Sequence, residues 1–169
     1  MVKLVGAILV AIGCGWMGFQ ACAALSVRVR TLETIDQGLA LLEQELELDN
    51  PPLSVLMERL VARSGEPARS LFYNCLQALE HLAEEDFSSA WRRLVVEIQS
   101  LGEEGAACLA SLGDTLGRCS SLEQRQAVDV VRCRLQDLER QAREERRRQG
   151  KVYQALGLSG GAFLILLLI

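Results

Sequence analysis

Val152-Tyr153-Gln154-Ala155-Leu156-Gly157-Leu158-Ser159-Gly160-Gly161-Ala162-Phe163-Leu164-Ile165-Leu166-Leu167-Leu168-Ile169 closes the chain without one charged residue. At about 1.5 Å per residue, a helix over 152–169 reaches about 27 Å, close to the hydrocarbon thickness of a bilayer, and reads as a membrane-spanning helix. Arg143, Arg146, Arg147, Arg148 and Lys151 stand just before it. By the positive-inside rule they hold the preceding chain in the cytoplasm.

The other end reads the same way. Leu4 to Leu25 is again uncharged and rich in Gly and Ala, so 1–25 is expected to form a first span, with Arg28 and Arg30 on its long side. A cleaved signal peptide is the competing reading, because Lys3, an apolar run and Ala21-Cys22-Ala23 imitate its three regions. The run is long for that role, and cleavage would leave the arginine cluster on the wrong side. The localisation that follows is a two-span membrane protein with a cytoplasmic domain over 26–151.

That domain contains all 22 acidic residues against 17 of the 18 lysines and arginines, a formal charge of −5, which argues against a nucleic-acid partner. Its length suffices for one core. The six cysteines form no C-x-x-C pair and read as reduced structural residues. His81 is the only histidine, with no Glu-x-x-His spacing around it, and no phosphate-cradling glycine loop occurs. No cofactor, no metal site and no catalytic residue are expected.

Apolar residues recur at helical spacing throughout. Leu25, Val29, Leu32, Ile35, Leu39, Leu42 and Leu46 mark a first helix stopped by Asn50-Pro51-Pro52; Leu53, Leu56, Met57, Leu60 and Val61 mark a second. Leu71, Phe72, Cys75, Leu76, Leu79 and Leu82 mark a third. A fourth is expected after a Ser88 or Ser89 cap, with Trp91, Leu94, Val95, Ile98 and Leu101 inward and Gly102 beyond its end. A fifth runs from Glu103 through Cys108, Leu109, Leu112 and Leu116 to Gly117. A capping box, Ser120 with Glu123 or Ser121 with Gln124, opens a sixth with Val128, Val131, Leu135, Leu138 and Ala142 inward. No strand-period alternation occurs, so the expected fold is all-α, a six-helix antiparallel bundle between two terminal spans.

In Val2-Lys3-Leu4-Val5-Gly6-Ala7, the Glu43-x-Glu45 to Pro52-Leu53 junction, Ala90-Trp91, Leu112-Gly113-Asp114-Thr115-Leu116-Gly117-Arg118 with Gln124, and the Gly-rich end after Leu156-Gly157, the chain resembles the stage III sporulation protein AB family. The resemblance implies a helical domain similar to those of type II secretion and type IV pilus inner-membrane platform proteins. It implies a non-enzymatic platform in the channel between mother cell and forespore, needed for forespore development. The implied partners are a secretion-type ATPase, stage III sporulation protein AA, and other membrane proteins of the same sporulation complex, beside membrane lipid and a second copy of the chain. The alternative is a structural scaffold that spaces channel subunits without touching an ATPase.

Three groups of residues invite a functional reading. From Thr31 to Asn50 the chain has six acids and no base; Glu43, Glu45, Glu47 and Asp49 are either a solvated face or a docking patch for a basic partner. Leu112, Gly113, Leu116 and Gly117 are expected to serve helix packing or a partner contact, with Gly117 as a helix stop. Gly157 and Gly161, four apart, suit close helix packing in lipid.

Overall fold

The computed structural model describes the backbone of residues 2–48, 51–80 and 86–168, and the side chains of residues 23–48, 51–80 and 86–150. Among the described residues every regular element is helical: α1 (Val2–Leu48), α2 (Leu53–Arg63), α3 (Ala68–Glu80), α4 (Phe87–Val96), α5 (Gly102–Ala110) and α6 (Ser121–Leu168), with short 3-10 turns at Gln99–Leu101 and Ser111–Asp114. The all-α reading stands.

The chain divides into two compact units. One comprises Met1–Val27 and Gln141–Ile169, the outer lengths of α1 and α6. The other, Arg28–Arg140, contains α2 to α5 with the remaining lengths of α1 and α6, and all the sites below lie within it.

In this second unit the helical stripes form the core as their spacing requires. Val29, Leu32, Ile35, Leu39, Leu42 and Leu46 of α1 are buried, as are Leu56, Met57 and Leu60 of α2 and Leu71, Phe72 and Cys75 of α3. Val128, Val131, Leu135 and Leu138 supply the α6 share. Burial pushes the Cys75 thiol up to about 12, so it stays a neutral packing group. Pro52 opens α2: its carbonyl accepts the helix's first bond, from the Leu56 N–H at 3.0 Å. Ser120 and Glu123 form the expected capping box, with the Ser120 N–H donating to Glu123 Oε2 at 3.0 Å and the Glu123 N–H to Ser120 Oγ at 3.4 Å.

Two membrane spans were the expectation, and here the structure corrects the sequence. Among the described residues no helix is long and apolar enough to cross a membrane. The described part of α1 meets Arg28, Arg30, Glu33 and Asp36 within three turns, and α6 from Ser121 to Gly150 carries charge on every turn. Such helices carry charges that a bilayer interior rejects. Localisation as a two-span membrane protein with a cytoplasmic domain is overturned with the spans. Residues 1–22 and 151–169, on which most of both spans fall, have side chains outside the described set, and Gly157 and Gly161 fall there too.

The middle of the chain also departs from its expected helices. α4 stops at Val96 because Ile98 leaves helical geometry, at φ −81° and ψ 75°. Leu101 still reaches the core, through the 3-10 turn. Gly102, expected beyond a C-terminus, instead begins α5 at φ 75°. The expected fifth helix is two pieces: α5 ends at Ala110, and Ser111–Asp114 continues as a 3-10 turn that buries Leu112 and Gly113. Ser88 caps nothing; its hydroxyl donates to Asp114 Oδ1 at 2.6 Å.

Trp91 explains that break. It is fully buried, and its indole N–H donates to the Leu109 carbonyl at 2.9 Å, one of the last carbonyls of α5, where a helix end frees acceptors from their usual amide four residues on. The turn then presses Gly113 onto the indole, where a β-carbon would lie 2.9 Å from Trp91 Cδ1 and 3.2 Å from the Ser88 carbonyl oxygen. Gly113→Ala is therefore expected to destabilise the fold by about 1–3 kcal/mol through overpacking, since a backbone oxygen cannot move aside cheaply. Urea unfolding followed by circular dichroism reads this as a lower midpoint; an unchanged midpoint would show that the turn is free to shift.

Candidate functional site

Around Trp91 a second layer of polar contacts fixes the same turn. Asp114 accepts from Ser88 and, at 2.5 Å, from Arg92 NH2. The Ser88 hydroxyl and then the Arg92 guanidinium hold this carboxyl below its ordinary range. Arg118 pairs with Asp86 at the start of α4. Gly117 takes φ 76°, a left-handed conformation that a side chain resists, and the Leu53 side chain of α2 stands 3.1 Å from where its β-carbon would be. Gln124, nearly buried in α6, donates to the Cys119 carbonyl at 2.7 Å and accepts from the Gly117 N–H at 3.5 Å.

Between these groups lies an open groove of about 470 Å³ lined by Leu53, Ser54, Leu79, Phe87, Leu116 and Gly117, with Asp86 and Arg118 also along it. Leu116 is buried, and the Asp86–Arg118 pair is half exposed. An apolar floor beside a paired rim is suited to a protein segment. Among the described residues no group of His, Cys, Asp or Glu has the arrangement of a metal site.

The acids of α1 meet a different fate. Glu45 is buried and accepts from Arg59 NH1 and Arg63 NH1 of α2, each at 2.8 Å. The hydrogen bond from Arg59 lowers its pKa; burial works against this, and the attraction of both arginines outweighs that cost. Glu43 accepts from Arg132 NH1 of α6 at 2.5 Å, and the same arginine reaches Asp36 through Nε at 3.1 Å. Burial opposes the charge on Arg132, and the bonds to Glu43 and Asp36 more than restore it, leaving its pKa raised. Glu47 pairs with Arg125 at 3.4 Å on a more open surface. Asp49 lies outside the described residues.

The structure thus brings Leu112, Gly113, Leu116 and Gly117 into one cluster and spreads Glu43, Glu45 and Glu47 over two different helix contacts. The cations that relieve the repulsion of these acids are supplied by the chain itself. Sequence reading passed over Arg59, Arg63, Arg132 and Gln136. Arg59 and Arg63, four apart on one side of α2, are a signal that an acid stands opposite.

Residues 3–169 match the family described as stage III sporulation protein AB. The chain belongs to that family. Stage III sporulation protein AB of Bacillus subtilis (strain 168) is 24% identical over 172 residues, covering 100% of both chains. A solved structure titled stage III sporulation protein AB is similar in fold, with a TM-score of 0.62 and 18% identity, over 72% of this chain and 97% of that one. Membership implies a role in sporulation, and neither relative bears the name of an enzyme. Within this family member, Trp91 of α4 and Gln124 of α6 brace the one turn that contains Gly113 and Gly117.

Because folding holds Glu45 below the 4.5 of a free side chain, the unfolded chain takes up this proton first as pH falls. Stability from the Arg59–Glu45–Arg63 clamp is thus complete above 4.5 and fades at lower pH, through the folded value. Glu45→Gln should cost about 1–2 kcal/mol near neutrality, discounted for the solvent around both arginines, and should flatten that acid limb. Thermal melts of both proteins across the acidic range check it; parallel pH profiles would show that the clamp adds nothing.

Proposed function

We propose that this chain is a non-enzymatic platform of the sporulation machinery, whose helical domain docks a secretion-type ATPase of the kind the resemblance names, stage III sporulation protein AA. Other proteins of the same complex would hold the platform in place. The observation that carries this reading is the open groove beside Leu116-Gly117-Arg118: apolar along its floor, bordered by the Asp86–Arg118 pair, and too open to enclose a small substrate. The net charge of −4 favours encounter with a basic partner surface.

Glu45 reversal is a poor test of docking, since it breaks the clamp on α2. Ser54 is better: it is exposed and lines the groove, so Ser54→Trp fills the groove while leaving the core alone. In titrations of the ATPase against the full-length chain at two salt concentrations, binding should weaken with salt, and Ser54→Trp should reduce affinity about tenfold or more with an unchanged melting temperature. Absence of binding by a folded full-length chain would favour the alternative, a scaffold that spaces other subunits of the complex. Binding unaffected by Ser54→Trp would move the docking face elsewhere on the domain.

A further inference from the structure

α1 and α6, joined by side-chain bonds between Asp36, Glu43 and Arg132, each carry buried aliphatic residues that repeat every seven residues. Leu32, Leu39 and Leu46 are equivalent under that shift, as are Ile35 and Leu42; on α6, Val128 matches Leu135 and Val131 matches Leu138. Stripes of this kind pack acceptably in more than one register, because a slide of two turns sets leucine where valine or leucine stood. Apolar burial alone therefore underdetermines how α6 lies along α1.

The charges do distinguish the registers. Arg132 bridges Asp36 and Glu43, themselves seven apart, and Gln136 donates to both oxygens of Asp36 at 3.2 Å. Arg125, seven before Arg132, takes Glu47. These pairs run in opposite senses along the two helices, so the contact is antiparallel. If α6 slid by seven residues one way, Glu139 would take the place of Arg132 between two carboxylates. Slid the other way, Arg125 would enter the bridge, but Glu47 would lose its partner, and Arg132 would come to lie between Asp36 and Val29, a buried apolar position. Both alternatives are penalised by like charge or by desolvated charge.

We infer that the Asp36–Arg132–Glu43 bridge is a register lock, which selects one alignment of α6 on α1. The side chains are three-quarters or more buried, at 17%, 23% and 25% exposure, where a mismatch is costly and the net gain over an apolar contact is small. The lock supplies uniqueness more than stability.

The test is a triple variant of the full-length chain, Asp36→Leu, Glu43→Leu and Arg132→Met, compared with the native protein by thermal melting and by methyl NMR of Leu39, Val131 and Leu135. The expected result is a melting temperature equal to or above the native one, with these methyls split or broadened into more than one environment. Restoring Arg132 and Glu43 alone should return a single set. A single sharp set in the triple variant overturns the lock, whatever its melting temperature. A large drop in melting temperature with one set of methyls would do the same and make the bridge an ordinary stabilising contact.

Discussion

A fully buried tryptophan has one donor and must place it. In this chain Trp91 places it on the Leu109 carbonyl, and the middle of the domain follows from that bond. The carbonyl is available because α5 stops one residue later, and Ser111 Oγ satisfies its neighbour, the Cys108 carbonyl, at 2.7 Å. Had α5 continued as an ideal helix, its next turn would have run past the indole instead of folding over it. The 3-10 turn tightens the path, Gly113 lets it touch Trp91, and Leu112 and Leu116 enter the core from the same short stretch. Gly117 then reverses the chain into the cap of α6.

The apolar stripes of α1, α2 and α6 were legible because one physical rule, burial at helical period, decides them without reference to the rest of the chain. Where the outcome depends on a distant partner, sequence reading gave out. Ser88 stands where a cap belongs, yet its hydroxyl is claimed by Asp114, 26 residues on. Gly102 has the composition of a stop, but it turns the chain between two helical pieces, with the Arg28 side chain 3.0 Å from where its β-carbon would be. The uncharged termini read as spans by their own composition; the described helices they join are heavily charged and none is apolar enough for a membrane.

The acidic face of α1 shows why charge runs are hard to interpret. Along the sequence, Glu43, Glu45 and Glu47 look like one patch, because alternation is invisible until a helix assigns directions. At 100° per residue, Glu45 points some 200° away from Glu43, and the two end on different partners, α2 and α6. A patch for an outside cation and a set of braces for inside cations have the same composition. What separates them is the position of Arg59, Arg63 and Arg132, between 14 and 96 residues away from their acids.

Charges used internally leave a domain whose outer surface is free to vary while its turns are not. Gly113 is limited by an indole and a carbonyl oxygen, Gly117 by its left-handed backbone, and Gln124 by two backbone groups it must satisfy together. None of these limits refers to a ligand. They are conditions for α2, α4 and the start of α6 to come together around one turn. The groove is a by-product of that convergence: Leu53 arrives with α2, Phe87 with α4, and Leu116 with the turn, and no single helix can bury all three.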